Sequence, residues 1–340
     1  MCAPDETRRR RKAGKRKPAI KLMLYILAVT FILILALCFY ITQPIWGVRR
    51  SDSAARVDPR SLETHVRTLS ESLGPRDASH PENLERVAAY VRQKFAEAGG
   101  RIREQAYMVG GTTYRNIIAD FGPETNERIV VGAHYDAAGP YPGADDNASG
   151  IGGIIELAQL LGQTDLHLKV EVVAYALEEP PFFRSQYMGS AVHARALKKE
   201  GAKVRAMIVV EMLGYFSDAA DSQQFPVSLL RLLYPSQGNF ISVIGRLGEG
   251  ILVRKIKRSM LEASSLPVYS INAPRSIPGV DFSDHLNYWD EGFPAVMVTD
   301  TAFYRNPNYH TRADTAEKLD YNRMAQVVEG VYAAVKELAR

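Results

Sequence analysis

Apolar positions change their spacing several times along this chain, and each change marks an element. Leu84, Val87, Ala88, Val91 and Phe95 share one face at helical spacing, and Gly99-Gly100 ends that face. A shorter helical pattern precedes it. Short apolar runs then alternate with helical patterns. The strand-like runs are 116–121, 128–133, 169–177 (KVEVVAYAL), 204–213, 239–244 and 295–299. The helical ones are 149–161, 190–199 and 322–338, the last with Met324, Val327, Val328, Val331, Val335 and Leu338 on its core face. Strands alternating with helices predict an α/β fold: a mainly parallel, mixed β-sheet sandwiched by helices.

One apolar run is different in kind. Residues 22–42 (LMLYILAVTFILILALCFYIT) carry no charge and no proline, and at about 1.5 Å per residue they span a bilayer core of about 30 Å. Tyr40 and Trp46 lie near the outer end, where interfacial aromatics sit. The run is long for a cleavable signal and has no small-x-small site after it, so it reads as a retained transmembrane helix.

The chain divides accordingly into a basic cytoplasmic tail (1–21), an anchor (22–42), a polar linker (43–56) and a catalytic domain (57–340). Of the 340 residues 46% are hydrophobic and 24% charged, ordinary globular proportions, and the formal net charge is +4. That charge is concentrated: residues 8–17 (RRRRKAGKRK) hold eight basic side chains immediately before the anchor. Placed there they are a topology signal. The N-terminus stays in the cytoplasm, the domain lies on the extracytoplasmic side (periplasmic or extracellular in a bacterium), and nucleic-acid binding is excluded. The two cysteines, Cys2 and Cys38, fall in the tail and the anchor. The domain beyond therefore uses neither disulfides nor a cysteine nucleophile.

In sheets of this kind functional residues gather just past the carboxyl ends of strands. His134 and Asp136 follow one run, Glu178 and Glu179 another, Glu211 ends a third, and His310 follows a fourth. Asp145 and Asp146 lie in the loop that enters the next helix, within HYDAAGPYPGADDNASG at 134–150. That much negative charge repels itself unless something cationic sits in its midst, and the candidates are a metal site, a solvated acidic loop or a loop that caps a helix. Two imidazoles, a bridging aspartate and two terminal carboxylates meet the needs of a two-metal site, with one further carboxylate left to take a proton from water. The Glu178-Glu179 pair supplies both a ligand and that base if adjacent side chains point differently. Asp136, two residues after His134, can hold the imidazole N–H and fix its tautomer. Asn147 or Ser149 can cap the helix that follows. Tyr304, Arg305 and Asn306, just before His310, are candidates to touch the substrate. Ser283-Asp284-His285 is too contiguous for a triad and reads as structural or cleft-lining. His65, His80, His167 and His193 read as surface or structural.

Taken together, HYD, PGADDNASG, LEEP, EMLGY, SDH and NYHT-RADT resemble the co-catalytic zinc aminopeptidase family, from about Val57 to the C-terminus. Its relatives include glutamate carboxypeptidases, glutaminyl cyclases and the peptidase-like domain of transferrin receptors. The resemblance implies two divalent metal ions, Zn2+ by family habit, with His134 on one, His310 on the other and Asp145 bridging. It implies Glu179 as a further ligand, Glu178 as general base, and a cis bond within the Asp145-Asp146 pair. Asp314 would support His310. Glu211 stands where many members carry aspartate, so its reach differs. After the EE pair many members read EEQGLLGS; this chain reads EEPPFFRSQYMGS, which predicts a reshaped cleft rim. The implied activity is that of a membrane-anchored exopeptidase, an aminopeptidase first, acting on a peptide or small-molecule amide. A single-zinc glutaminyl cyclase-like acyltransferase and an inactive binding domain are the alternatives.

Overall fold

The computed structural model describes residues 6–50 and 56–340, with side chains from Lys21 onward. Residues 1–5 of the expected tail, the side chains of its basic cluster, and 51–55 of the expected linker lie outside the described residues.

Helix α1 (Glu6–Thr42) carries the described part of the expected tail and the expected anchor as one continuous element. Its segment Lys21–Thr42 is long and apolar enough to cross a membrane, and the side chains from Leu22 to Leu37 are exposed on every side. Helices α2 (Pro59–Arg67) and α3 (Pro81–Glu97) follow. Asp58 caps α2 by accepting from the Arg60 amide, and α3 buries the five apolar residues of its expected face.

An eight-stranded sheet runs through the middle. The strands are β1 (Arg101–Val109), β2 (Thr112–Phe121), β3 (Glu127–His134), β4 (Lys169–Tyr175), β5 (Lys203–Glu211), β6 (Ile241–Arg246), β7 (Val268–Ala273) and β8 (Ala295–Thr299), in the spatial order β1-β2-β4-β3-β5-β8-β6-β7. The central strands β4, β3, β5 and β8 are mutually parallel, as are β6 and β7. The joins β1/β2, β2/β4 and β6/β8 are antiparallel, so the sheet is mixed as expected. β4 is buried along its whole length, which is why it reads as a continuous apolar run.

Helices cover both faces. One carries α2, α3, α4 (Gly150–Gly162), α6 (Gly250–Ala263) and α8 (Tyr321–Leu338), with Ile129, Val131, Ile154, Val210, Val298 and Val331 in its core. The other carries α5 (Gly189–Glu200) and α7 (His285–Asp290) over Val130, Val173, Met207, Val209, Tyr288 and Trp289. Strands β1 and β7 and helix α6 were not anticipated. β1 is an edge strand that mixes polar and apolar residues and buries only Val109, and its partner turn Gly110-Gly111 takes positive φ at both positions.

The start of the expected linker packs against the domain. Gln43 is buried, and Lys257 of α6 donates to the carbonyls of Thr42 (2.9 Å) and Gln43 (3.1 Å). Ser270 of β7 donates to Thr42 O as well (2.9 Å), and Arg254 to Pro44 O (2.8 Å). The last turn of α1 is thus hydrogen-bonded to the domain rather than joined to it by a free tether.

Candidate active site

Parallel strands β3, β4 and β5 deliver their carboxyl ends side by side, and the site is built there. His134 is the last residue of β3, Glu178 and Glu179 follow β4, and Glu211 ends β5. All four are buried. His310 arrives from the long segment after β8 in a left-handed backbone conformation, φ +55°, and Leu177 and Met212 beside the glutamates are left-handed too. Such strained non-glycine residues cluster where the surrounding structure fixes a functional geometry.

The carboxylate between the two imidazoles is that of Asp146. Its Oδ1 lies 3.4 Å from His134 Nε2 and its Oδ2 3.0 Å from His310 Nε2. Glu211 Oε2 approaches His134 Nε2 at 3.3 Å, and Glu179 Oε1 approaches His310 Nε2 at 3.3 Å. Two poles result, each with one imidazole, one glutamate and one oxygen of the shared aspartate. His134, Asp146 and Glu179 offer ligand atoms within 4.8 Å of one another.

Asp145 does not occupy the expected bridging place. Its carboxylate turns away, accepting from the Gly214 amide (2.9 Å) and Asn306 Nδ2 (2.8 Å), with Asp300 beside it. The reason lies in the backbone. Asp314 receives the amides of Asp145 (3.0 Å) and Asp146 (3.1 Å), which fixes the turn so that only the second aspartate faces the imidazoles. The cis bond is at Asp146-Asn147, not within the DD pair. Asn147 is fully buried and accepts the Gly150 amide at the start of α4, so it is the capping residue of the two proposed.

Asp136 acts as a support. Its two carboxylate oxygens accept the amides of Glu178 and Glu179, each at 3.0 Å, which sets the direction of both glutamates. His134 Nδ1 lies 3.2 Å from the Asp136 carbonyl and 3.4 Å from Oδ1, the tautomer-fixing contact expected of this spacing. Ser283 donates to Glu211 Oε2 at 2.6 Å and orients it. Arg76 went unnoticed in the sequence. It is buried behind the cluster and donates to the carbonyls of Leu69, Tyr135, Pro142 and Gly143, tying the two ends of the loop after β3 to the turn at Leu69. A lone arginine in GPRD carries no periodic signal.

Of the three residues expected at the substrate, only Tyr304 lines the cavity. Arg305 is buried elsewhere, donating to Gln223 Oε1 and Phe240 O and stacked over the Phe240 ring, and Asn306 is spent on Asp145. His193 and His65 are core histidines held by Tyr288 and Tyr90.

Electrostatically the cluster is unbalanced. Burial pushes Glu179 up to about 8, helped by the Asp146 carboxylate, and raises Glu178 well above the usual range. Burial opposes protonation of His310, but Asp146 and Glu179 outweigh it and lift it to about 10. Burial works against the Asp146 anion, yet the two imidazoles hold it below the usual carboxylate range. Among the described residues, Glu179 Oε1 and His310 Nε2 have no hydrogen-bond partner although they approach closely. Buried ligand atoms that converge at the His310 pole without bonding one another, with excess carboxylates and only N and O ligands at both poles, fit one or two borderline divalent cations.

The cluster opens into a cavity of about 290 Å³. Asp146, Glu178, Glu179, Glu211 and His310 form its floor. Phe183, Phe225, Leu230, Phe282 and Phe303 contribute to apolar walls. Pro180 and Phe183 of the EEPPFF segment line it, as the departure from EEQGLLGS suggested.

Three comparisons place this arrangement. The fold matches the crystal structure of BSAP, a zinc aminopeptidase from Bacillus subtilis, with a TM-score of 0.65 at 14% identity, covering 82% of this chain and 94% of that one. The architecture is therefore aminopeptidase-like. The chain belongs to peptidase family M28, whose sequence pattern matches residues 116–335. It is 45% identical over 320 residues to the uncharacterized protein YfbL of Escherichia coli (strain K12), across 92% of this chain and 98% of that protein. It is 24% identical over 317 residues to leucine aminopeptidase 1 of Pyrenophora teres f. teres (strain 0-1), across 88% of this chain and 75% of that protein.

Proposed function

We propose that this M28 peptidase is a membrane-anchored, zinc-dependent aminopeptidase with two metal ions and Glu178 as general base. The observation that carries the reading is Asp146, one carboxylate shared between two imidazoles that each have their own glutamate. His134, Glu211 and Asp146 would hold one ion, and His310, Glu179 and Asp146 the other. Bound there, divalent ions polarise a scissile carbonyl and lower the pKa of an attacking water.

The chain's own residues do the rest. Glu178 lines the cavity and belongs to neither pole. It accepts a proton from the attacking water and returns it to the leaving amine. Asp136 holds Glu178 and Glu179 in their different directions through their amides. The cavity volume is at the low end for ligand pockets, which suits one terminal residue better than an extended chain. Its apolar walls favour a large hydrophobic side chain at that residue, and burial excludes competing water from the floor. Helix α1 anchors the domain, with the basic cluster on the cytoplasmic side and the catalytic domain across the membrane.

The test joins metal content to turnover. Purified full-length protein should carry two zinc ions per chain and release N-terminal leucine or phenylalanine from chromogenic amides, with activity abolished by a chelator. Glu178→Ala should lower turnover by about 10²–10⁴-fold and keep both metals. One metal per chain and no amide hydrolysis would turn the assignment toward cyclase-type acyl transfer. Metal-free protein would mark an inactive domain.

A further inference from the structure

The apolar span of α1 ends at Thr42, and the domain grips it above and below that point. The Tyr40 hydroxyl accepts the Gly248 amide at 2.8 Å, two residues inside the span, or roughly 3 Å along the axis. A side chain added at Gly250 would touch Gln43 and Tyr40. The segment Leu247–Ile251 therefore sits at the level where the anchor leaves the hydrocarbon. On another side of the helix, Ser270 links two partners: its Oγ donates to Thr42 O (2.9 Å) and its carbonyl accepts the Tyr234 hydroxyl (2.7 Å). That puts the segment ending at Tyr234 at the same level.

Both segments expose large apolar side chains. Leu229 is 66% exposed, Leu232 79% and Ile251 87%, with Val227 and Leu247 also open to solvent. Leu229 and Leu232 are three apart in the 3-10 turn Ser228–Leu232, so they point the same way. Trp46, 68% exposed and packed against Phe39 of the helix, adds a further apolar residue where the helix ends. Arg49, Arg50 and Arg231 are exposed among them, as suits anionic headgroups. A soluble surface does not gather such residues around a membrane helix without use.

We infer that the catalytic domain lies on the bilayer through Val227, Leu229, Leu232, Leu247 and Ile251, beyond its attachment by α1. The occupant of this face is the lipid surface of the membrane that the anchor spans, and the inference rests on that reading of α1. The same turn that meets lipid outside lines the catalytic cavity inside, through Leu230 and Tyr234. The cavity therefore has one wall at the membrane surface.

The test uses the full-length chain in vesicles of phosphatidylcholine and phosphatidylglycerol. In a Cys2→Ser, Cys38→Ser background, single cysteines are placed by Leu229→Cys, Leu232→Cys, Ile251→Cys, Ile34→Cys and Met108→Cys. Each is labelled with an environment-sensitive fluorophore and challenged with a lipid-borne spin-label quencher. Met108 is 68% exposed on β1, the edge of the sheet opposite β7 and the anchor. Labels at 229, 232 and 251 should shift to the blue and lose about half their emission, as at Ile34, because interfacial side chains enter the headgroup and acyl boundary. The label at Met108 should stay unquenched. Quenching at Ile34 with 229, 232 and 251 all behaving like Met108 would overturn the inference and leave the anchor standing. No quenching at Ile34 would remove the anchor reading, and this face with it.

Discussion

Asp145 and Asp146 are adjacent, equally acidic and both buried, yet they have different work. Asp146 faces two imidazoles, whereas Asp145 faces an amide and an asparagine. Asp146→Asn should therefore strip metal from both poles and remove activity, while Asp145→Asn should keep metal. Metal analysis of the two purified variants checks this. His285 supplies a residue-level prediction for pH. It is fully buried, its Nε2 lies 2.8 Å from the Val280 carbonyl, and burial pushes it down to about 4. The unfolded chain takes up a proton below about 6.5 and the folded chain does not until about 4. Stability from this group is thus complete above pH 6.5 and falls as pH drops toward 4, by about 2 kcal/mol at pH 5. Urea unfolding at pH 7 and pH 5 should show that loss in the native chain and a smaller one in His285→Gln. The choice between the two aspartates was not legible from the sequence, because it depends on which amides Asp314 receives 168 and 169 residues away. The types of His134, Glu178, Glu179, Glu211 and His310 and the strands that four of them follow closely were legible, because continuous apolar runs mark buried parallel strands and functional residues gather past their carboxyl ends.

At the scale of elements, the site is held by loops that must be braced against each other. Arg76 does this from outside any strand, donating to four carbonyls on three segments. Burial lowers its pKa to about 10, so it stays charged at neutral pH. Arg76→Ala would leave buried carbonyls without donors and acidic groups without their nearest cation, at about 3–5 kcal/mol. Denaturant unfolding should show that loss, with metal affinity falling too. Elements with a clear apolar pattern were readable in advance: α4, α8, β4 and β8 lie within a residue or two of expectation, and α3 buries the face expected of it. Those that were not readable break the pattern for a reason. β1 is an exposed edge strand with apolar and polar residues on both faces, and α6 spends Arg254 and Lys257 on the chain leaving α1. Arg305 and Asn306 misled because proximity in sequence to His310 says nothing of direction, and the left-handed turn at Thr301–Ala302 sends them inward.

For the whole molecule, an apolar-walled cavity at the carboxyl ends of the central strands predicts a preference. Leucyl and phenylalanyl amides should be cleaved faster than aspartyl or lysyl amides by at least about tenfold, since burying an unpaired charge beside apolar walls is costly. Relative kcat/KM across a substrate panel measures it. The protein should also stay with the membrane through an alkaline carbonate wash and leave only with detergent, as a spanning helix requires.

The grip of Lys257 and Ser270 on the end of α1 has one more consequence. A domain on a loose tether sweeps a volume and samples whatever diffuses through it. With α1 spanning a membrane as proposed, a domain bonded to its helix at the root moves only as the helix moves, by lateral drift and by spinning about the membrane normal. Its cavity then travels at one fixed height, and encounters become a search over a plane. Abundance in that thin layer, more than abundance in the surrounding fluid, sets how often a chain end is met.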